Sequence, residues 1–284
     1  MNGLPDFPRL VRTLQDFSRL FWANMQRRDY SVLIGWLIGA TALGCGAVLE
    51  GIRLSFLWQP TAALIVFGGT LGAVVVRRGV RGVNDALRAA WALGFHTGKD
   101  ELEASLARLT WLARVARRDG VRKLEAHAQV SEDPLMAAGL SAAADYAEPA
   151  QVRYKLENIL VAEDDRGLGE VATLDAAGSY APTFGIIGAV LGLIYVLRSL
   201  ADPSALGSGI ATAFVATIYG VGAANLIFFP LAARLRDRHR ERMKRRTALA
   251  EALIALAAHE SPNFIADRVA GHLPEAGNPY RVQA

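Results

Sequence analysis

The feature that most constrains this chain is a pair of long apolar segments in its second half whose interiors hold no charged residue. The first opens with Tyr180-Ala-Pro-Thr-Phe-Gly-Ile-Ile-Gly188 and carries no ionisable group from residue 181 to residue 193. The second covers residues 206–231 and ends in Phe228-Phe229-Pro230. Both are rich in glycine, so as helices they can pack closely against a neighbour in a membrane. Neither holds a carboxylate, so any proton-carrying acid must come from a partner.

Two further apolar windows in the first half of the chain give four in all, at about residues 31–50, 57–76, 180–200 and 206–231. Crossing the hydrocarbon core takes about 20 apolar residues in a helix, and a charge at mid-span costs about 2.5–3.5 kcal/mol. The chain is nevertheless 20% charged. The sequence therefore predicts four transmembrane helices together with a part that lies in water.

Basic residues flank these windows and predict the orientation of the helices. The clusters are Arg27 and Arg28; Arg77, Arg78 and Arg81; and eight Arg or Lys residues between Arg234 and Arg246. With four spans all three clusters fall on one side, which the positive-inside rule makes cytoplasmic, together with both termini. The pI near 9.4 is then explained by arginine beside anionic lipid. No nucleic-acid partner is predicted.

The segment between the second and third windows reads as helical, because its leucines recur at helical spacing and no alternating strand pattern is present. Pro134 and Pro149 each follow residues typical of a helix start. The predicted fold class is all-α: a polytopic membrane protein with four transmembrane helices and a helical cytoplasmic domain between the second and third. The predicted parts are an N-terminal cytoplasmic segment (1–29), helices 1 and 2 (30–76), the cytoplasmic domain (77–177), helices 3 and 4 (178–231) and a C-terminal cytoplasmic helix and tail (232–284).

The first 29 residues allow two interpretations. Leu10, Leu14, Phe17 and Phe21 recur at helical spacing with arginines on the other face, which is typical of an amphipathic helix lying on the inner leaflet. A partly ordered tail is the alternative.

No pattern of residues predicts an enzyme. The five histidines are scattered without metal-ligand spacing, and Gly167-Leu-Gly169 is too short for a phosphate-binding loop. Cys45 lies among small residues in mid-span, where it fits a packing role better than a redox or metal role. The sequence therefore predicts no catalytic residue, no cofactor and no metal site.

Several motifs resemble the MotA/PomA family of flagellar motor stator subunits, in order along residues 31–270. In the last two spans they are Tyr180-Ala-Pro-Thr-Phe-Gly-Ile-Ile-Gly188, Gly192-Leu193, Ala216-Thr-Ile-Tyr-Gly220, Ala224-Asn225 and Pro230-Leu-Ala. Earlier in the chain they are Ile34-Gly35, Pro60-Thr-Ala-Ala-Leu-Ile-Val-Phe-Gly-Gly69, Ala116-Arg-Arg-Asp-Gly-Val-Arg-Lys-Leu-Glu125 and Glu132-Asp-Pro134. The first 29 residues depart from the family, which leaves open a standard flagellar motor or a specialised relative.

The resemblance implies an ion-driven machine in the bacterial inner membrane that turns ion-motive force into torque. Five such subunits would surround two copies of a MotB-like, peptidoglycan-binding partner whose single span supplies the aspartate that takes up the ion. Pro182 and Pro230 match the prolines that couple ion passage to movement. Arg117 and Glu125 match the charged pair that meets the rotor protein FliG; eight residues separate them, about two turns if the segment is one helix.

The ion pathway is assigned by the same resemblance to Pro182, Ala189 and Thr217. Sodium-driven members tend to carry a hydroxyl residue where this chain has Ala189. A bare Na⁺ needs several oxygen ligands, whereas a proton can pass through a carboxylate and a few waters. The loss of one hydroxyl with Thr217 retained therefore favours H⁺ over Na⁺ as the transported ion.

Two other functions stay open at this point. One is a Tol/Exb-like or Zorya-like energiser of another process, which the four-span layout and the lack of a long helical tail after Arg246 disfavour. The other is a passive membrane scaffold without ion flux.

Overall fold

The computed structural model describes residues 31–93, 99–145, 148–198, 203–261 and 264–265. Across these ranges the regular structure is entirely helical. The predicted amphipathic helix around Leu10–Phe21 and the end of the chain beyond residue 265 lie outside the described residues.

Nine α-helices follow one another along the described part of the chain. They are α1 (Ser31–Leu49), α2 (Pro60–Ala63), α3 (Gly69–Ala92), α4 (Lys99–Asp119), α5 (Leu124–Gln129), α6 (Pro134–Ala144), α7 (Pro149–Arg198), α8 (Pro203–Gly222) and α9 (Phe229–Ala257). Wider π-helical turns join α2 to α3 (Leu64–Gly68) and α8 to α9 (Ala223–Phe228). Tighter 3₁₀ turns lie at Leu54–Leu57 and Val121–Lys123.

Within the described part of the chain, four helical stretches are long and apolar enough to cross a membrane, which confirms the four predicted spans. They are Val32–Leu49, Leu54–Ala92, Pro149–Arg198 and Leu206–Ala257. The fourth span begins at Leu206, as predicted, and the helix that contains its start, α8, itself begins at Pro203, where a proline can occupy the first turn without losing a hydrogen bond.

The chain divides into two compact units. Unit 1 comprises Met1–Thr97 and Gly169–Leu235, and unit 2 comprises Gly98–Leu168 and Arg236–Ala284. In unit 1 small apolar clusters hold the spans together: Ala62 and Val66 pack with Val215 and Ala216. Farther along, Val74 packs with Ala176 and Ala177.

A sharp change of backbone direction interrupts α3 at Gly79, where φ is 69° and ψ is 165°. The preceding residue, Arg78, is held by α7: its Nη2 donates to the Gly169 carbonyl at 2.7 Å and its Nε donates to the Thr173 hydroxyl at 3.2 Å. The second membrane span and the charged stretch after it are therefore separate helical pieces.

Unit 2 has a core built from leucines and alanines of α4 to α7 and α9. Its fully buried large side chains include Leu109, Leu112, Leu124, Leu135, Leu140, Leu156 and Leu253. The predicted helix starts are confirmed: Asp133 caps α6 by accepting a bond from Leu135 N at 3.0 Å, Pro134 is the first residue of α6, and Pro149 is the first residue of α7.

A buried arginine ties three helices of unit 2 together. Arg246 in α9 donates from Nη1 to Asp133 at 2.6 Å and from Nε to Glu163 in α7 at 2.8 Å. Burial alone would raise the pKa of Asp133, but the hydrogen bond and charge of Arg246, together with the backbone N–H groups of Leu135 and Met136, outweigh it and hold that pKa below its usual value. The ion pair thus links the cap of α6 to both long helices.

Candidate functional site

The α7–α8 interface is formed by glycines that bring the two backbones into contact. A Cβ atom on Gly185 would lie 3.0 Å from the Ala216 carbonyl oxygen, and one on Gly192 would lie 2.9 Å from the Gly209 carbonyl oxygen. A Cβ on Gly220 would lie 2.5 Å from the Ala181 carbonyl oxygen. These glycines therefore pack the third and fourth spans of one chain against each other, whereas the sequence pattern had indicated packing against a neighbour.

Pro182 lies at this interface, half-buried inside α7. Its Cα is 3.1 Å from the position that a Cβ would take on Gly220. Proline has no N–H, so the Gly178 carbonyl one turn earlier loses its usual helical donor. The third span therefore carries a weakened hydrogen-bond ladder where it touches the fourth span.

Thr217 and Ala189 border the same interface. The Thr217 Cα lies 3.4 Å from the Cβ position of Gly185, while its side chain is exposed and its hydroxyl donates to the Ala213 carbonyl at 3.4 Å. Ala189 is half-buried, about two turns after Pro182 on the same helix. The structure thus brings Pro182 and Thr217 to neighbouring turns of two contacting helices, with Ala189 farther along one of them.

Pro230 does not lie at the α7–α8 interface. It is exposed, the second residue of α9, directly after the π-helical turn Ala223–Phe228. Its neighbour Phe229 rests on the third span, since a Cβ on Gly178 would lie 2.7 Å from the Phe229 ring. The two prolines are therefore connected through one packing contact: Phe229, next to Pro230, contacts Gly178, which lies one turn before Pro182.

Sequence reasoning missed a polar contact at the start of the second span. The Tyr219 hydroxyl donates to the Leu57 carbonyl and accepts from the Gln59 backbone N–H at 3.4 Å. Thr212 adds a longer contact from its hydroxyl to Gln59 Oε1 at 3.5 Å. The sequence shows Tyr219 and Thr212 as polar residues of the fourth span and Gln59 as the residue before Pro60. It does not indicate that Gln59 contacts the other two.

Arg117 and Glu125 lie in unit 2 on separate helices, so the spacing of two turns, which was expected only if the segment formed one helix, does not apply. α4 ends at Asp119, and Gly120 follows with φ of 87° before a 3₁₀ turn leads into α5. Both side chains are exposed. The Asp119-Gly120 pair is a common turn signal and could have predicted the break.

The described residues include no group of three or more His, Cys, Asp or Glu side chains that could hold a metal ion. Between residues 60 and 76, 181 and 197, and 206 and 231, the sequence has no Asp or Glu. The membrane part of this site therefore offers hydroxyls and backbone carbonyls, with no acid of its own.

Comparison with known proteins gives one consistent family. The sequence model of the MotA/TolQ/ExbB proton channel family matches residues 127–248. The chain is 30% identical to motility protein A of Bacillus subtilis over 246 residues, which is 87% of this chain and 91% of the relative. It is 28% identical to chemotaxis protein PomA of Vibrio alginolyticus over 247 residues, 87% of this chain and 96% of the relative.

A solved structure agrees with these relatives. The flagellar MotAB stator complex from Bacillus subtilis contains a chain that superposes with a TM-score of 0.74 at 30% identity, covering 87% of this chain and 97% of that one. Sequence and fold therefore agree over nearly the whole length of both proteins, and the chain belongs to the MotA/PomA family within the MotA/TolQ/ExbB proton channel family.

Proposed function

We propose that this chain, a stator ion-channel subunit of the flagellar motor, conducts protons together with a MotB-like single-span partner. The observation that carries the proposal is the absence of Asp and Glu from the apolar parts of the second, third and fourth spans, beside a tightly packed α7–α8 interface. A proton pathway through lipid needs a titrating group, and the partner's span would supply it. The Bacillus subtilis structure is that of a MotAB complex, which supports a partner of this kind.

The proposed topology places two spans before a helical cytoplasmic domain and two after it, with both termini in the cytoplasm of a bacterial inner-membrane protein. Its support is the position of the basic clusters around Arg77–Arg81 and Arg234–Arg246. The exposed apolar surface of α1, which includes Leu37 at 69% exposed and Ile38 at 65%, fits contact with lipid or with neighbouring copies in a homopentamer.

In the proposed mechanism, protonation of the partner's carboxylate removes a charge near Thr217 and Pro182. Removing a charge in a medium of low dielectric constant changes its interaction with nearby hydroxyls and carbonyls strongly. The hydrogen-bond ladder is already incomplete at Pro182, so the third span can adjust there at small cost. The ring of subunits would then step around the partner, and Phe229 would pass the movement to Pro230.

Torque would reach the rotor protein FliG through Arg117 and Glu125. Both are exposed, and they lie on either side of the Gly120 turn, so each can meet a different rotor charge. Exposed charges of this kind contribute little to folding stability, which makes an intermolecular role for them separable from a structural one.

The identity of the transported ion is tested in a bacterial strain that lacks its own stator and expresses this chain with its partner. If protons drive the motor, swimming stops when the proton gradient is collapsed and continues when sodium is removed. The reverse pattern would contradict the proton assignment made from Ala189. If motility is never restored although the complex assembles in the membrane, the Tol/Exb-like or Zorya-like alternative takes precedence.

A further inference from the structure

Thr70 in the second span has a buried hydroxyl that makes no hydrogen bond to any described residue. The side chain is 3% exposed. Five other hydroxyl residues in the long helices of unit 1 donate to a carbonyl about one turn back. These bonds are Thr173 to Gly169, Ser179 to Asp175, Thr183 to Tyr180, Thr212 to Ser208 and Thr217 to Ala213. Thr70 departs from this pattern.

Thr70 lies two residues after the π-helical turn Leu64–Gly68. The carbonyls that a threonine at position 70 would normally reach belong to Val66 and Phe67, and both residues lie within that turn. The Gly69 N–H already donates to the carbonyls of Ile65 and Val66. The Thr70 hydroxyl makes no bond back to a carbonyl of this turn, and π-helical turns are frequent at functional sites.

Contacts between the second and third spans show which residues of the third span lie at the same height along the helix axes as Thr70, here called its level. Ile65 lies 3.6 Å from the Cβ position of Gly188, and the Phe184 ring occupies the Cβ position of Gly69. Val74 packs in one cluster with Ala177. The two helices therefore run antiparallel, and Thr70 lies at the level of residues 181–183.

The fourth span reaches the same level, because Gly220 abuts the Ala181 carbonyl and the Pro182 Cα. Pro182 also leaves the carbonyl of Gly178, a buried residue, without its helical donor. An unpaired donor on the second span and a carbonyl without its donor on the third thus lie at heights that differ by about one turn along the helix axes.

We propose that Thr70 binds one internal water molecule at the level of Pro182, between the second, third and fourth spans. The water accepts the hydrogen bond of the Thr70 hydroxyl and donates to a backbone carbonyl of the third span, for which Gly178 is the candidate. A buried hydroxyl without a partner destabilises the folded protein, and internal waters typically remove that cost at polar sites. A water fits better than a cation, because residues 60–76 and 181–197 contain no acid to balance a charge.

The test compares the wild-type complex of this chain and its partner with two variants at Thr70. Thr70→Val keeps the shape and removes the hydroxyl, whereas Thr70→Ser keeps the hydroxyl. A high-resolution map of the wild type should show density about 2.7–3.2 Å from Thr70 Oγ1, which persists in Thr70→Ser and is lost in Thr70→Val. Wild-type maps without that density, or density unchanged in Thr70→Val, would overturn the proposal.

Thermal unfolding gives a second readout, with Thr61→Val as the matched control because Thr61 is exposed on the same span. Losing the water and its bonds should lower the Tm of Thr70→Val by about 2–4 °C relative to the control. A Tm that is unchanged or higher would mean that the hydroxyl has no partner and gains nothing from water, which also overturns the proposal.

Discussion

Gly220 of the fourth span lies directly against the carbonyl oxygen of Ala181 in the third, so that a Cβ atom on Gly220 would be 2.5 Å from that oxygen. Backbone meets backbone at this point, and Pro182 is the next residue along the third span. Any rearrangement of the third span at Pro182 therefore acts on the fourth span with no flexible side chain between them.

The Gly220→Ala variant should separate the two spans. The added methyl group would collide with backbone atoms, and overpacking of this kind costs about 1–3 kcal/mol. We expect a lower Tm of the purified complex and reduced swimming. Gly222→Ala is the control, since no atom lies within 4 Å of its Cβ position and alanine favours a helix by up to about 1 kcal/mol. Equal effects of the two changes would contradict the role of the close contact.

Charge reversal at the predicted rotor contact should reduce torque and leave assembly unchanged. Arg117→Glu and Glu125→Lys alter exposed side chains in unit 2. Rotation speed of tethered cells measures torque, and the yield of partner that co-purifies measures assembly. Arg122→Glu, exposed in the turn between them, is the control and should retain more torque. If Arg117→Glu or Glu125→Lys fails to assemble, the rotor assignment loses its support.

Loss of the buried arginine in unit 2 should destabilise the protein strongly. Arg246→Met would leave Asp133 and Glu163 partly buried without their shared cation, and breaking such a pair costs about 3–5 kcal/mol. Arg240→Met removes a cation that is 67% exposed and lies 3.8 Å from Asp237, so it should cost less than about 1 kcal/mol. Chemical denaturation of both variants checks the difference; similar midpoints would contradict it.

The stabilising effect of the Asp133 charge should disappear at low pH. The pKa of Asp133 is lowered in the folded protein, so the unfolded state binds a proton at a higher pH than the folded state does. Its contribution is therefore fully present above the ordinary pKa of about 3.9 and is lost as the pH falls through the lower folded pKa. Asn can still cap α6, so Asp133→Asn isolates the charge. The Tm difference between wild type and Asp133→Asn should be constant from about pH 5.5 to 7 and shrink below pH 4; a constant difference down to pH 3 would contradict this assignment.

Local signals in the sequence predicted much of the fold. Four apolar windows of membrane length became four long helices, because a run without charges is constrained by length and hydropathy alone. Proline after an acidic or polar residue marked the starts of α6 and α7, because capping depends on neighbouring residues.

Features that depend on packing between helices were not predictable in the same way. Glycine spacing indicated that another helix packs closely against each span, but not which helix, because the absence of a Cβ atom does not identify the neighbour. The π-helical turn Leu64–Gly68 and the isolated hydroxyl of Thr70 were missed because the local sequence has no proline or polar pattern that distinguishes it from an ordinary helix. Tyr219 and Gln59 are 160 positions apart, and only the assembled bundle brings them together.

Gly79 shows a constraint of a different kind, because no atom lies within 4 Å of its Cβ position and yet φ is 69° and ψ is 165°. This conformation is open almost only to glycine and costs other residues about 1–3 kcal/mol. Saturation mutagenesis of the second span should therefore find that position 79 does not tolerate even alanine, although there is space for its side chain. Tolerance at this hinge is governed by torsion angles, and a small, conservative replacement would do as much harm there as a bulky one.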